Sequence, residues 1–392
     1  MRACAPHVVL LPSLYPSLYC PLDGIYIQEQ ACALRAAGVR VGVVYPELRS
    51  WRTLHDGHLS KSLFQTTTSS EHGIDTVRNR GWNVPFFGLR PRVWRFLALR
   101  SFAKYIKHFG KPDLCHAHSA IWAGAAASEV KKRFGIPYVL TEHSSAYRRN
   151  LFHAREEEAT QKALGDASRV ITVSKSLRAD IQRYAPNQDI MVIPNLVDAD
   201  FFTIPEISPV RKTFRFLTVA LLTKVKGVDL LIQAFHTAFS EHPDVELEIA
   251  GEGPERQNLE ELARTLRISD RVHFSGLLSK EQVRESMWRS NAFVLASHTE
   301  TFGLVLAEAL ATGLPVVATR CGGPEDFVNE EVGFLVQPGS VPELTQALKQ
   351  LWAESTKFDR SKLREYARQK FSAPVVSQQI CDIYRRVLCH PA

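Results

Sequence analysis

A chain of 392 residues holds more sequence than one hydrophobic core usually absorbs, so two domains are expected. Its apolar fraction of 45%, with no repeat or low-complexity stretch, excludes collagen-like, solenoid and disordered classes. The net charge of +7 lies in the first half: residues 1–210 carry 26 Lys and Arg against 18 Asp and Glu, and the remainder 22 against 23. An anionic partner is therefore expected at the first half, as a membrane surface or a phosphorylated lipid. Nucleic-acid binding would rest on charge alone and is not expected.

The seven cysteines are scattered and lack paired spacing, which suits a reducing compartment and argues against a zinc site or a disulfide frame. The uncharged stretch after Arg2 is interrupted by Pro6, Pro12, Pro16 and Pro21. It predicts a first strand, His7 to Leu11, followed by a ligand loop rather than a cleaved signal. A helix over Ile27 to Ala37 follows, closed by Gly38, then a strand over Val39 to Val44. Asp23-Gly24 before that helix fits a phosphate approach or a plain turn. Residues 46–84 read as polar and irregular.

Residues 88–110 place Val93, Phe96, Leu97, Phe102 and Ile106 at helical spacing, with Arg92, Arg95, Arg100, Lys104 and Lys107 between them. Two readings fit. The helix lies on an anionic membrane with Trp94 and Tyr105 at the headgroups, or it packs on the core with a solvated basic face. Strands ending in Asp113–His118 and Thr141 bring His116, His118 and His143 to one rim, with Glu142 beside them. No close ligand pair among them predicts a metal. Each histidine fits a hydrogen-bonded structural role, and His143 is the best placed to touch a substrate hydroxyl.

A strand over Ala167 to Val173, a helix from Lys175 and a strand over Ile190 to Pro194 end the first half, and the Pro-bearing residues 203–209 read as a linker. The alternation then restarts. Strands are expected at Arg215–Leu221, Val245–Ala250 and Val272–Phe274, with helices at Val228–Phe239, Glu255–Leu266 and Ser279–Ser290. Asn291 to Gly323 reads as strand, helix and strand, with Glu300 in the first loop and Glu308 in the helix. The two halves, 1–205 and 206–374, predict an α/β chain of two Rossmann-like, doubly wound domains facing across a cleft.

In this order the motifs resemble the retaining nucleotide-sugar glycosyltransferases of family 4. They are Gly24-Ile25 with Glu29-Gln30, His116-Ala117-His118, Thr141-Glu142-His143, Ile193-Pro194-Asn195 with Asp198, and Lys226-Gly227. Ala250-Gly251-Glu252-Gly253-Pro254, Glu300-x7-Glu308 and Gly322-Gly323-Pro324-Glu325 complete the set. The resemblance implies the GT-B fold, with a final helix, 375–392, crossing back onto an acceptor-binding first domain. It assigns His143, Lys226 and Glu300 to catalysis: His143 at the donor sugar, Lys226 at the diphosphate and Glu300 on sugar hydroxyls. It assigns the donor to Gly24, Gly251, Gly253, Val272, Phe302, Gly303, Leu304 and Glu308, with Val272 to Gly276 flanking the base and Glu308 on the ribose. His116, His118 and Glu142 are the acceptor-side candidates.

No metal or cofactor is implied; the nucleotide-sugar is a substrate, and a lysine with a helix N-terminus stands in for a metal. The expected acceptor is a glycan or lipid-linked glycan of a surface polysaccharide. The expected place is the cytoplasm, peripheral on the membrane. The alternatives are another GT-B enzyme, such as a sugar-nucleotide epimerase or a disaccharide synthase, and a non-catalytic sugar-nucleotide binder. Three positions depart from the family pattern. Ala220-Leu221 replaces its Gly-Arg pair, Leu22-Asp23 stands where glycines are common, and Leu196 follows Pro194-Asn195 in place of a glycine. By the resemblance, one phosphate-binding cation is therefore missing, and Lys224 is the nearby candidate to replace it.

Overall fold

The computed structural model describes residues 5–17, 20–49, 65–82, 90–149, 151, 154–206 and 213–389. Positions 88–89 of the expected basic helix, residues 50–64 of the stretch read as irregular and positions 207–209 of the expected linker lie outside them. The chain divides into two compact units. The first runs to Val173 and includes Leu177–Leu196 and the chain from Ala373. The second comprises Val197–Ser372 together with Ser174–Ser176. The division falls at Leu196, ahead of the Pro-bearing passage.

The first unit is built on strands β1 (His7–Pro12), β2 (Arg40–Arg49), β3 (Thr66–Glu71), β4 (Ile74–Trp82), β5 (Leu114–His118), β6 (Tyr138–Glu142), β7 (Arg169–Thr172) and β8 (Ile190–Val192). They form one sheet in the order β3-β4-β2-β1-β5-β6-β7-β8. Only β3 pairs antiparallel among the described strands. β1 reads HVVLLP and is buried throughout, as a central parallel strand with helices on both faces must be. The β3–β4 hairpin was not legible in the sequence. β3 reads TTTSSE, a mostly exposed polar edge with no apolar alternation. Its turn is made by His72 and Gly73, with φ of 52° and 73°. Positive φ at both central residues is the hairpin turn that follows the twist of its strands.

Helix α1 (Ile25–Ala36) follows β1, and α2 (Arg90–Phe109) precedes β5. The structure removes the two rings of α2 from the membrane reading and leaves its basic face exposed. Trp94 and Tyr105 are fully buried; the Trp94 indole donates to the Pro46 carbonyl at 3.1 Å, and the Tyr105 hydroxyl meets His7 Nε2 at 2.9 Å. Neither ring is available to lipid headgroups. The face left outside carries Arg92, Arg95, Arg100 and Lys107, with Phe96 63% exposed. Helices α3 (Ala125–Phe134), α4 (Ala154–Asp166) and α5 (Lys175–Gln182) complete the βα alternation.

The second unit carries β9 (Phe214–Val219), α6 (Val228–Phe239), β10 (Val245–Ala250), α7 (Arg256–Thr265), β11 (Val272–Gly276), α8 (Lys280–Trp288), β12 (Ala292–Leu295), α9 (Leu304–Ala311), β13 (Val316–Thr319) and β14 (Gly333–Val336). Helices α10 (Val341–Glu354) and α11 (Arg360–Phe371) close it. The sheet order is β11-β10-β9-β12-β13-β14, with every described pairing parallel. Ser279 caps α8 in a full capping box with Gln282. β14, α10 and α11 add a strand and two helices beyond the sequence reading.

The last helix, α12 (Ala373–Cys389), belongs to the first unit. Its buried stripe is Val376, Ile380, Ile383, Tyr384 and Val387, spaced as one helical face, and it packs into the core that holds Val8, Leu10, Ile27 and Leu34. Burying aliphatic side chains of this size stabilises by about 1.5–3 kcal/mol each, so a helix this far along the chain is firmly held.

Candidate functional site

In the second unit the strand order reverses between β9 and β12. Open parallel sheets bind ligands at such a reversal, beyond the carboxyl ends of the strands. The loops leaving these two strands are residues 220–227 and 296–303, and they are joined by the His298 amide donating to the Val225 carbonyl at 2.8 Å. Lys226 and Glu300, one from each loop, meet across the reversal, with Nζ 2.6 Å from Oε1. Both side chains are partly exposed, at 27% and 14%. The Ser297 hydroxyl donates to the same oxygen at 2.8 Å.

A third loop, after β13, is clipped on by the backbone. The Glu300 amide donates to the Cys321 carbonyl and the Gly323 amide to the Glu300 carbonyl, each at 3.0 Å. A Cβ on Gly323 would lie 2.3 Å from the Phe302 Cα, so this clip needs glycine. Cys321 is buried beside the pair, and burial pushes its thiol up to about 12. Gly303, at φ 87°, turns the chain into α9; the Leu306 amide donates to the Gly303 carbonyl, and the first two amides of the helix have no intrahelical partner. Glu308, half-buried, lies in the second turn of α9.

The structure qualifies several donor assignments. Phe302 is buried among Phe327 and Phe371, so only its backbone faces the loops. Leu304 is the partly exposed first residue of α9. Val272 is a correction. It is the first residue of β11, buried in the core at the amino end of the strand, while Gly276, the other end of the same expected segment, holds the carboxyl end. Gly251 and Gly253 lack side chains for a packing reason. A Cβ on either would lie 1.8 or 2.4 Å from the carbonyl oxygens of Ala220 and Leu222. Gly24 does the same in the first unit, against the Leu14 carbonyl at 2.3 Å. Those close approaches seat one loop on another.

Leu221, where the family pattern has arginine, is 63% exposed. Lys224 does not take its place beside Glu300. It lines a separate cavity of about 390 Å³ with Asp229, Glu255 and His298.

In the first unit, His116, His118 and His143 stack, with ring centroids 4.4 and 5.4 Å apart. His116 is fully buried and both its nitrogens are engaged, Nδ1 with the Tyr384 hydroxyl at 2.6 Å and Nε2 with the Thr141 hydroxyl at 2.7 Å. It ties α12 to the sheet and is not an acceptor-side group. His118, also buried, joins His143 through Nδ1 and Nε2 at 3.1 Å. One of those nitrogens carries the proton and the other accepts it, so the tautomers of the two rings are coupled. His143 is the partly exposed member, with the Tyr26 ring 4.8 Å away.

Glu142 is the second correction. Its carboxylate is fully buried. Oε1 accepts from the amides of His143 and Ser144 at 2.8 and 2.9 Å. Oε2 accepts from the Ala120 amide and the Tyr147 hydroxyl, each at 2.8 Å. It fixes the loop that carries His143 and presents nothing to an acceptor. Ser119, next to that loop, has φ 79°, followed by a π-turn over Ala120–Gly124. Strain and π-turns of this kind collect near functional sites, and no sequence signal marked this one. Ser297, Thr319, Tyr26 and Tyr384 were likewise missed; each is a common residue type whose role appears only when the strands are aligned.

Burial pushes the His116 pKa down to about 3, with His143 adding to the shift, and holds His118 well below its usual value. His143 is lowered as well, to about 3, by burial that outweighs a hydrogen bond to Asn195. The stack is neutral at pH 7. Because these folded values lie below the unfolded value of about 6.5, the unfolded chain takes up protons first as pH falls. Stability is thus present above pH 6.5 and is lost as pH falls below it, down to about 3 for His116 and His143. Urea denaturation at pH 7, 6 and 5 is expected to show a fall approaching about 1.4 kcal/mol per pH unit for each fully buried ring. Stability that stays flat from pH 7 to 5 would refute a neutral stack.

Comparison with known proteins gives the family. Residues 24–201 match the model described as Glycosyltransferase Family 4, and residues 200–370 the model described as Glycosyl transferases group 1. The chain belongs to the retaining glycosyltransferase family 4. Among curated relatives of this family 4 chain, a human phosphatidylinositol N-acetylglucosaminyltransferase component is 32% identical over 63% of this chain and 51% of its own. The chain thus spans about half the length of that relative. The putative teichuronic acid biosynthesis glycosyltransferase TuaC of Bacillus subtilis is 26% identical over 97% of this chain and 98% of its own. Solved structures establish the GT-B fold. Sucrose-phosphate synthase from Thermosynechococcus elongatus superposes with a TM-score of 0.80 at 21% identity, covering 98% and 99% of the two chains. The Anabaena protein HepE in complex with UDP-glucose gives 0.72 at 20%, covering 97% and 100%.

Proposed function

We propose that this chain transfers a sugar, with retention, from a nucleotide-sugar to a glycan or lipid-linked acceptor in surface-polysaccharide synthesis. The observation that carries the reading is the meeting of Lys226 and Glu300 at the strand-order reversal, beside the N-terminus of α9. A nucleoside diphosphate leaves as an anion, and a cation with unpaired helix amides stabilises the charge as it develops. Glu300 would accept from sugar hydroxyls and Glu308 from the ribose, since a carboxylate accepts paired hydroxyls. The bond from the anomeric carbon to the phosphate oxygen breaks as the acceptor oxygen bonds on the same face. The acceptor's proton passes to the departing phosphate. His143, neutral at pH 7, would serve as a hydrogen-bonding group and not as a cation.

The full-length match to TuaC favours a surface polysaccharide over the phosphatidylinositol acceptor named for the human relative, which matches over half its length. HepE is named with UDP-glucose, which makes a UDP-sugar the first donor to try. Among the described residues no helix is long and apolar enough to cross a membrane. A lipid-linked acceptor would instead be met at an anionic bilayer by Arg92, Arg95, Arg100 and Lys107 of α2, with Phe96 beside them. The exposed Leu221 favours a second reading, a binder that holds sugar-nucleotides without turnover.

Glu308→Ala separates these sites from a fortuitous resemblance. Loss of a charged hydrogen bond to ribose is expected to weaken nucleoside diphosphate binding about 10- to 100-fold by calorimetry. Unchanged affinity would remove Glu308 from the site. Turnover of UDP-glucose by the unaltered chain separates the enzyme from the binder.

A further inference from the structure

Ser297 lies two residues beyond the end of β12 and is fully buried, although its side chain is a hydroxyl. A buried hydroxyl is retained where it has partners. Here the Ser297 carbonyl accepts from Thr319 Oγ1 of β13, and the Ser297 Oγ donates to Glu300 Oε1 at 2.8 Å. Lys226 donates to the same oxygen at 2.6 Å. Glu300 Oε2 accepts no hydrogen bond among the described residues. The Glu300 backbone is held on both sides by Cys321 and Gly323.

We propose that Ser297 is a positioning residue that fixes which oxygen of Glu300 faces the donor sugar, and so sets discrimination among sugars without contributing to nucleotide affinity. The inference rests on the function proposed above. Oε1 carries two donors, one of them, Lys226, required elsewhere once a diphosphate arrives. When Lys226 turns to the phosphate, the Ser297 hydroxyl is the donor that remains on Oε1. It keeps the carboxylate from rotating, and Oε2 stays directed at the sugar. Without it, either oxygen can take either role, and the hydroxyl pattern of the sugar is read less sharply. Thr319 anchors Ser297 to the neighbouring strand, so the restraint is referred to the sheet rather than to the loop.

The test compares the unaltered chain, Ser297→Ala and Ser297→Thr. The readouts are hydrolysis of UDP-glucose and UDP-galactose, epimers at one hydroxyl, and the Kd of UDP alone; GDP- and ADP-sugars are substituted if they are the donors turned over. Ser297→Ala is expected to lower the ratio of kcat/KM between the two epimers about tenfold, the value of one hydrogen bond to a charged group. The Kd of the bare nucleotide should stay within about twofold of the unaltered value. Ser297→Thr, which keeps the hydroxyl, should retain discrimination. If Ser297→Ala does not fold, as loss of its cooperative urea transition would show, Ser297→Cys, of similar volume and weaker donor power, takes its place. An unchanged epimer ratio, or equal losses in nucleotide affinity and in turnover of both epimers, overturns the proposal. An unaltered chain that binds UDP but turns over no sugar-nucleotide overturns the proposed function itself, and with it the role of Ser297.

Discussion

Replacing Lys226 by alanine is expected to lower sugar transfer by about 10²- to 10³-fold, the loss typical of removing a group aimed at charge developing in a transition state. The expectation is large because the site is short of cations. The family's arginine position is Leu221, whose side chain stands exposed at the loop. Lys224 lies two residues from Lys226 but faces a cavity bounded by Asp229 and Glu255. A single turn of 3₁₀ helix over Lys224–Lys226 points the two lysines apart. Lys226 is paired with Glu300, and under the proposed function a bound diphosphate would break that pair. The loss should fall mainly on kcat, because charge on the leaving group grows in the transition state. Steady-state kinetics on the variant check this, and a fall of less than about fivefold would show that the diphosphate is stabilised elsewhere.

Glu142→Gln is expected to destabilise the first unit by about 2–4 kcal/mol, an isosteric change in a residue with no exposed surface. The carboxylate accepts four hydrogen bonds, two on each oxygen. An amide can keep the pair on its carbonyl oxygen. Its NH₂ must then face two donors, either two backbone amides or an amide and the Tyr147 hydroxyl. Only the hydroxyl can turn to accept, so at least one buried amide is left without a partner. The loop bearing His143 is the part that loosens. Urea denaturation should show the loss in midpoint, and exchange at the amides of Ala120, His143 and Ser144 should quicken with it. Unchanged stability would mean that the four contacts contribute nothing net.

The sequence made the βα alternation legible because parallel strands buried on both faces are continuous apolar runs, as at His7–Pro12 and Ala292–Leu295. The glycine turns and Ser279 cap marked helix ends for a local reason that needs no tertiary knowledge. The β3–β4 hairpin escaped because an exposed edge strand carries no hydrophobic period. The site was legible as a list of residues but not as an arrangement. Lys226 and Glu300 are 74 positions apart, and only the reversal between β9 and β12 puts them within 2.6 Å. The same long-range pairing hid the opposite outcome at Glu142 and His116, which looked like rim residues and proved to be inward ties. Val272 came with the resemblance as one end of a five-residue segment, and the structure buries that end at the amino terminus of β11. Trp94 and Tyr105 suit a membrane interface as well as a core, and their buried partners, Pro46 and His7, lie far away in sequence.

A crystal structure of the chain with bound UDP, or with UDP-glucose where it is not turned over, tests the central claim most directly. The diphosphate is expected within about 3 Å of Lys226 Nζ and of backbone amides at the start of α9, with the ribose hydroxyls on Glu308. The ion pair between Lys226 and Glu300 should be opened, with Glu300 turned to the sugar. A nucleotide seated instead in the cavity beside Lys224, Asp229 and Glu255, with the Lys226–Glu300 pair intact, would contradict it.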